Sequence, residues 1–341
     1  MLETIWFVLW GVLWGIYFML DGFDLGIGAL MPFLAGNDEE KRIMYKSIGP
    51  FWDGNEVWLI TAGGVTFAAF PLTYAVMFSS LYSALMLVLF SLIFRAVSIE
   101  FRNKQDSPKW RAGWDLGMFL GSALPAILLG IAFANIFKGI PIDGQGIYKG
   151  TLFTLLNPYG LIGGVLFLFL FLLHGALWLA IKTEGDLHRR SLATANKLWP
   201  VLLVVAVVFL AATGIWTQRW SNYLKNPLLF VIPLFVVAAL ILTKVFLSKQ
   251  ACWKAWFASC GTILGATLFG VIGLYPNLLP SSLDPAFSLT AFNSSSSPLT
   301  LKIMLVVVLV FMPVVIAYQT WVYILFKDKV TIDELAYEEA Y

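Results

Sequence analysis

Pro158-Tyr-Gly-Leu-Ile-Gly-Gly-Val-Leu-Phe-Leu-Phe-Leu-Phe-Leu-Leu-His-Gly-Ala-Leu-Trp-Leu-Ala-Ile181 holds no charged side chain. At about 1.5 Å of rise per residue, such a run wound as a helix crosses a hydrocarbon core about 30 Å thick. Asn157 precedes Pro158, the pattern of a helix cap followed by proline at the first helical position. The rest of the chain reads the same way. Of 341 residues, 60% are hydrophobic and 12% are charged, against about 25% charged in a soluble domain. A water-facing surface cannot be built from so few polar residues. Lipid is the solvent for most of this chain, and the fold class is an all-α integral membrane protein.

Nine spans are expected, at 5–33, 52–70, 75–98, 113–137, 158–181, 193–216, 228–247, 254–276 and 300–326. Turn and polar residues punctuate them: Gly36-Asn37-Asp38, Asn157-Pro158, Asn226-Pro227 and the stretch from Asn293 to Pro298. Lysine and arginine stay on the cytoplasmic side of a membrane. With the N-terminus outside and the C-terminus in the cytoplasm, 17 of the 22 basic residues fall on the inner side and 5 on the outer. The reverse orientation inverts that ratio.

A faint internal echo accompanies the count. Trp110-Arg-Ala-Gly-Trp114 leads into Gly121, and Trp253-Lys-Ala-Trp256 leads into Gly261. One membrane domain of two four-helix bundles, 1–137 and 157–276, with a peripheral helix at 299–327 and a cytoplasmic tail at 328–341, accounts for it. Trp6, Trp110, Trp114, Trp220 and Trp253 fall near span ends, where an amphipathic ring suits the interface. Trp14 and Trp178 lie deeper and are expected between helices. Glycine pairs four apart, such as Gly22/Gly26 and Gly117/Gly121, suit close helix packing. The first apolar run is too long for a removable signal peptide, and no early basic region precedes it. Cys252 and Cys260 lie about 12 Å apart along one helix, too far for a disulfide within it. A net charge of +2 gives no reason to expect a nucleic-acid partner.

The ionisable residues at membrane depth are the candidates for function, because charge there is costly. Asp21 and Asp24 lie in the first span, and Asp53 and Glu56 open the second, each pair on one helix face. Arg95 and Glu100 close the third span, and Asp115 opens the fourth. By the topology above, all lie in the cytoplasmic half. Two readings stand side by side. A row of carboxylates on one side of a membrane can take up protons, or the same groups can serve as structural pairs. Asp53 suits a helix cap or the helix dipole, and Arg95 is long enough to snorkel to the surface.

Redox chemistry finds few ligands. The spans hold one histidine, His174, and the whole chain only two cysteines, whereas haem and metal sites draw commonly on these types. His174 is expected to be hydrogen-bonded between helices. There is no C-x-x-C-H haem attachment motif, no P-loop, no dinucleotide-binding glycine motif and no nucleophile elbow. Redox or hydrolytic chemistry belongs largely to a partner. The acidic, glycine-rich helices also fit a different class, a stand-alone proton-coupled transporter.

Several motifs carry a family resemblance. Asp21-Gly-Phe-Asp-Leu-Gly-Ile-Gly28 and Pro50-Phe-Trp-Asp-Gly-Asn-Glu-Val-Trp-Leu-Ile-Thr-Ala-Gly-Gly64 are its core. Phe94-Arg95, Glu100-Phe-Arg102, Asn157-Pro-Tyr-Gly160 and Pro276 through Pro280-Ser-Ser282 add to it. In these the chain resembles subunit II of the cytochrome bd quinol oxidases, bacterial terminal oxidases of the inner membrane. The resemblance implies a partner, subunit I, carrying b-type and d-type haems and the quinol site. It implies two four-helix bundles plus a peripheral helix, and a complex that reduces oxygen to water with quinol electrons. Protons for that water would come from the cytoplasm. Asp53 matches a position associated in the family with that proton route, and Asp21 and Asp24 match the acidic motif of the first helix. Glu56 stands where some relatives carry an amide. Trp52, Arg95, Glu100 and Asp115 are supporting residues. The resemblance also admits a structural quinone or lipid in this chain, and a small single-helix accessory subunit beside it.

Overall fold

The computed structural model describes residues 1–331. The distal part of the expected tail, 332–341, lies outside the described residues. The helices are α1 (Leu2–Leu34), α2 (Asp38–Ile48), α3 (Trp52–Ala69), α4 (Pro71–Ser80), α5 (Tyr82–Phe101), α6 (Pro108–Lys138), α7 (Leu152–Leu155), α8 (Pro158–Lys182), α9 (Gly185–Trp216), α10 (Ser221–Lys225), α11 (Val231–Ser248), α12 (Cys252–Leu274) and α13 (Pro298–Leu325). Among the described residues, eight helical segments are long and apolar enough to cross a membrane. Helix α3, expected as a further span at 52–70, is not among the eight, because Asp53, Asn55 and Glu56 make its first turns polar.

Helices α2, α7 and α10 had no counterpart among the expected spans. Gly36-Asn37-Asp38, read as a break, starts α2. Asn37 Oδ1 accepts the Glu40 amide at 2.8 Å, and Asp38, Glu39 and Glu40 fill the first turn, where carboxylates favour the helix dipole. The span expected at 75–98 divides at Leu81 into α4 and α5. Elsewhere the caps follow the sequence: Asn157 Oδ1 accepts the Gly160 amide at 3.1 Å and starts α8.

Helix α1 is the axis of the molecule. It packs on α3, α6, α8 and α12, while α5 packs on α6, α9 on α8, and α11 on α12. Glycine makes the tightest of these approaches. A Cβ on Gly26 would lie 1.9 Å from the Phe171 carbonyl oxygen, and one on Gly175 would lie 2.7 Å from the Gly26 carbonyl carbon. The backbones of α1 and α8 are in contact there, as small residues permit. Gly26→Val must force them apart, at an expected cost of about 1–3 kcal/mol or more. Thermal unfolding of the purified protein reads this as a lowered Tm. Gly113→Ala, which meets nothing within 4 Å, is the control and does not lower Tm.

The tryptophans sort by depth. Trp14 and Trp178 are buried between helices, as expected, and Trp178 stacks on Phe23 with centroids 4.4 Å apart. Trp6, expected at the interface, is also buried, and its indole donates to the Leu301 carbonyl of α13 at 3.0 Å. Helix α13 lies against α1 and α3 and leaves most of its length exposed. At the end formed by the start of α1 and the close of α12, β1 (Asn277–Leu279) pairs antiparallel with β2 (Leu289–Thr290). The segment after α6 joins this cover through Ile140 N–H to Pro280 O at 3.1 Å.

Candidate functional site

Asp21 and Asp24 are one turn apart on α1, and both are fully buried. The compensating charge comes from α5. Arg95 is equally buried; its Nη2 donates to Asp21 Oδ1 at 2.6 Å and also to Glu56 on α3. Three helices therefore meet on one guanidinium. Arg95 does not snorkel. Behind it, Gly121 of α6 is necessary, because a Cβ there would lie 2.7 Å from Ser91 O and from the Arg95 amide nitrogen. Asp24 is held from α3, where the buried Asn55 donates through Nδ2 to Asp24 Oδ2 at 2.8 Å.

Three carboxyl groups thus face one guanidinium. Asp21 Oδ2, Asp24 Oδ1, Arg95 Nε and Arg95 Nη1 are buried and, among the described residues, have no hydrogen-bond partner. Nearly all buried polar atoms in proteins are satisfied, so such a group calls for a functional account. An excess of acid over base in a dry site is a place where a proton can bind and leave.

A second ionic group lies just past the end of α5, where the chain continues the same face. Arg102 is seven residues beyond Arg95, about 10 Å along a helix, and the fully buried Ser98 stands between them. Arg102 Nε donates to Asp115 Oδ1 at 2.6 Å, and its Nη2 donates to Asp38 Oδ1 at 2.6 Å. Lys41 Nζ donates to Asp115 Oδ2 at 2.8 Å. Partial burial acts to raise the Asp38 carboxyl, but the Arg102 hydrogen bond and the nearby guanidinium groups outweigh it and hold the carboxyl below its ordinary range. Burial, followed by the negative charge of Asp115, pushes the Tyr45 hydroxyl up.

The structure divides the expected site residues. Asp21, Asp24 and Arg95 form a buried group that the half-buried Glu56 joins, and Asp115 belongs to the second group. Asp53 is exposed on the first turn of α3, where its Oδ1 accepts the Gly54 amide at 2.7 Å. The cap position itself is Phe51, so the helix dipole, not capping, is the local role of Asp53. One turn separates it from Glu56. It lines an open cleft of about 330 Å³ with Asn55, Trp58, Gln319 and Tyr323. Trp52 is half-buried, and its indole nitrogen is buried without a partner among the described residues. Glu100 is exposed and joins neither group.

His174 is occupied on both ring nitrogens. Nδ1 pairs with Ser259 Oγ at 2.6 Å and Nε2 with Met19 O at 2.9 Å, while the ring stacks on Trp256. It ties α8 to α1 and α12, as the sequence indicated. Among the described residues, no group of three or more His, Cys, Asp or Glu is placed to hold a metal.

Sequence reasoning missed Asn55, Gln319, Tyr323, Arg102 and Lys182. Gln319 donates to Asn55 Oδ1 at 3.4 Å, and Tyr323 Oη donates to the same oxygen at 2.9 Å. Past Lys302, Gln319 is the one amide or charged side chain in the apolar run of α13, and that was the available signal. Lys182 closes α8 and donates to the carbonyls of Phe326, at 2.5 Å, and of Asp328, so it fastens the end of α13.

A family model described as "Cytochrome bd terminal oxidase subunit II" matches residues 2–326. The chain is 37% identical over 356 residues to "Probable cytochrome oxidase subunit 2" of Haemophilus influenzae, covering 94% of this chain and 93% of that one. It is 37% identical over 370 residues to "Cytochrome bd-I ubiquinol oxidase subunit 2" of Escherichia coli, covering 98% and 96%. It is 36% identical over 332 residues to "Cytochrome bd ubiquinol oxidase subunit 2" of Bacillus subtilis, covering 97% of each. Among solved structures, the fold is similar to a chain of the bd oxidase from Geobacillus thermodenitrificans, with a TM-score of 0.77 at 16% identity, covering 95% of this chain and 98% of that one.

Proposed function

Since the chain belongs to the cytochrome bd terminal oxidase subunit II family, and is thus one membrane subunit of a quinol oxidase in the bacterial inner membrane, we propose that it supplies cytoplasmic protons to an oxygen-reducing site on its partner. The observation that carries this reading is the meeting of the buried Asp21, Asp24 and Arg95 with the half-buried Glu56, with more acid than base. The partner is subunit I, which holds the b-type and d-type haems. Quinol is oxidised there and oxygen is reduced to water.

The proton route starts at the second ionic group or at Asp53 and ends at the buried carboxyl groups. The orientation behind it places the N-terminus outside and the C-terminus in the cytoplasm, supported by the 17 to 5 division of basic residues. Helix α3 is then the ninth span. The packing of α1, α3, α5 and α6, and of α8, α9, α11 and α12, supports two four-helix bundles with α13 at their edge. The open groove between α3 and α5, lined by Ile60, Gly63, Gly64, Phe67, Tyr82 and Leu89, is the face we assign to subunit I. An apolar cavity of about 110 Å³ among Phe18, Phe133, Phe167, Leu202 and Phe269 suits the tail of a lipid or a structural quinone. The relatives lend no support to a stand-alone proton-coupled transporter.

Two measurements test this. The purified complex shows reduced d-type haem bands; their absence overturns the pairing with subunit I. In the assembled complex, Asp53→Asn slows oxygen uptake by roughly threefold to tenfold, about 0.7–1.4 kcal/mol in barrier. An unchanged rate and pH dependence removes Asp53 from the route, and loss of assembly alone makes this chain a scaffold.

A further inference from the structure

The amide groups beside Asp24 have a polarity that can be traced to one donor. Trp58 is buried, and an indole N–H can donate but never accept. It donates to Gln319 Oε1 at 2.9 Å. That contact fixes which end of the Gln319 amide faces which way, so Nε2 is turned toward Gly54 O and Asn55 Oδ1, both at 3.4 Å. Tyr323 adds its hydroxyl to Asn55 Oδ1 at 2.9 Å. With its oxygen engaged twice, the Asn55 amide has only its NH₂ left to turn toward Asp24, and it donates to Oδ2 at 2.8 Å.

Reversal of Asn55 would place an amide oxygen against Asp24. A donor favours the carboxylate; an acceptor favours the protonated acid, which alone has a proton to give. The state of Asp24 therefore depends on residues of α13, a helix that otherwise touches the rest of the fold lightly. Lys182, through the carbonyls of Phe326 and Asp328, holds that helix in place.

We propose that Trp58, Gln319 and Tyr323 are positioning residues that fix the orientation of Asn55 and so keep a donor against the Asp24 carboxylate. The proposal rests on the proton-supply reading for its consequence in turnover, but not for its geometry. The other groups facing Asp24 are Asp21 on its own helix, Glu56 on α3, Arg95 on α5 and Tyr323 itself. His174 is engaged with Met19 and Ser259, and Cys260 of α12 lies near Tyr323. Among the described residues, none of these donates a hydrogen bond to Asp24; Asn55 does.

The test uses the assembled, haem-bearing complex and Tyr323→Phe, which removes one hydroxyl and keeps the ring. Infrared spectra report the carboxylic-acid carbonyl stretch of protonated Asp24, assigned by its loss in Asp24→Asn. In Tyr323→Phe that band gains amplitude at neutral pH, and the pH profile of oxygen uptake moves by about fivefold in proton concentration, the worth of one net hydrogen bond. Trp58→Phe gives the same change from the far end of the chain of amides. An Asp24 band unchanged in both variants overturns the proposal. Altered infrared spectra with an unchanged pH profile keep the positioning and remove Asp24 from the rate-limiting proton step, which is a failure of the proton-supply reading alone. Should Tyr323→Phe not assemble, Gln319→Met reads the same contact, and an unchanged Asp24 band there is equally fatal.

Discussion

Arg95→Leu is expected to destabilise the assembled complex by about 3–5 kcal/mol, the usual cost of stripping one partner from a buried ion pair. Both Arg95 and Asp21 are fully buried, and Glu56 shares the same nitrogen. Leucine leaves two carboxyl groups facing an apolar side chain, with Asp24 a turn away. Thermal unfolding and the yield of haem-containing complex measure the loss. Arg95→Lys keeps a charge but replaces a planar fork by a point, so it recovers only part of the stability. A leucine variant as stable as the parent would mean that the acids are already neutral at rest and that the pairing is not ionic.

Asp24→Asn is expected to separate stability from turnover. Asparagine has nearly the same shape, and its own oxygen can accept the Asn55 donor that now reaches Asp24. Assembly and haem content therefore stay as they were. What disappears is a group able to gain and lose a proton, and oxygen uptake falls by about tenfold or more, some 1.4 kcal/mol in the barrier. Asp21→Asn behaves in the opposite sense. It leaves Arg95 with Glu56 as its remaining carboxylate partner, so its main effect is on stability. Normal uptake in Asp24→Asn would place the proton route elsewhere in the subunit.

Most of the helical frame was legible in the sequence, because a lipid solvent leaves so few choices. Apolar runs of about 20 residues have to be helices, and Asn157-Pro158 marked a helix start to the residue. The buried acids were legible for the same reason, since Asp21 and Asp24 have no place in lipid without a partner. What could not be read was the partner. Arg95 looked long enough to reach the surface; its burial depends on Gly121 and on the arrival of α3, contacts distant in sequence. Asp53 and Glu56 read as one pair, yet one points outward and the other inward. The surface helix α2 was hidden because its amphipathic pattern is short and its cap resembles a turn. Asn55, Gln319 and Tyr323 are uncharged and carry no spacing signal across 264 residues.

The ion pair across 74 residues also bears on how the chain is made. Helix α1 leaves the ribosome before α5 and carries two acids that lipid rejects. Arg95 follows 74 residues later, which takes roughly 4–15 s at a synthesis rate of about 5–20 residues per second. The packing surfaces of α8 and α12 come later still. During that interval the first helix is a poor guest in the bilayer and depends on the insertion machinery, or on protonation of its own carboxyl groups, to remain there. Synthesis of α5 releases it, so it is α5, not α1 itself, that commits α1 to the membrane.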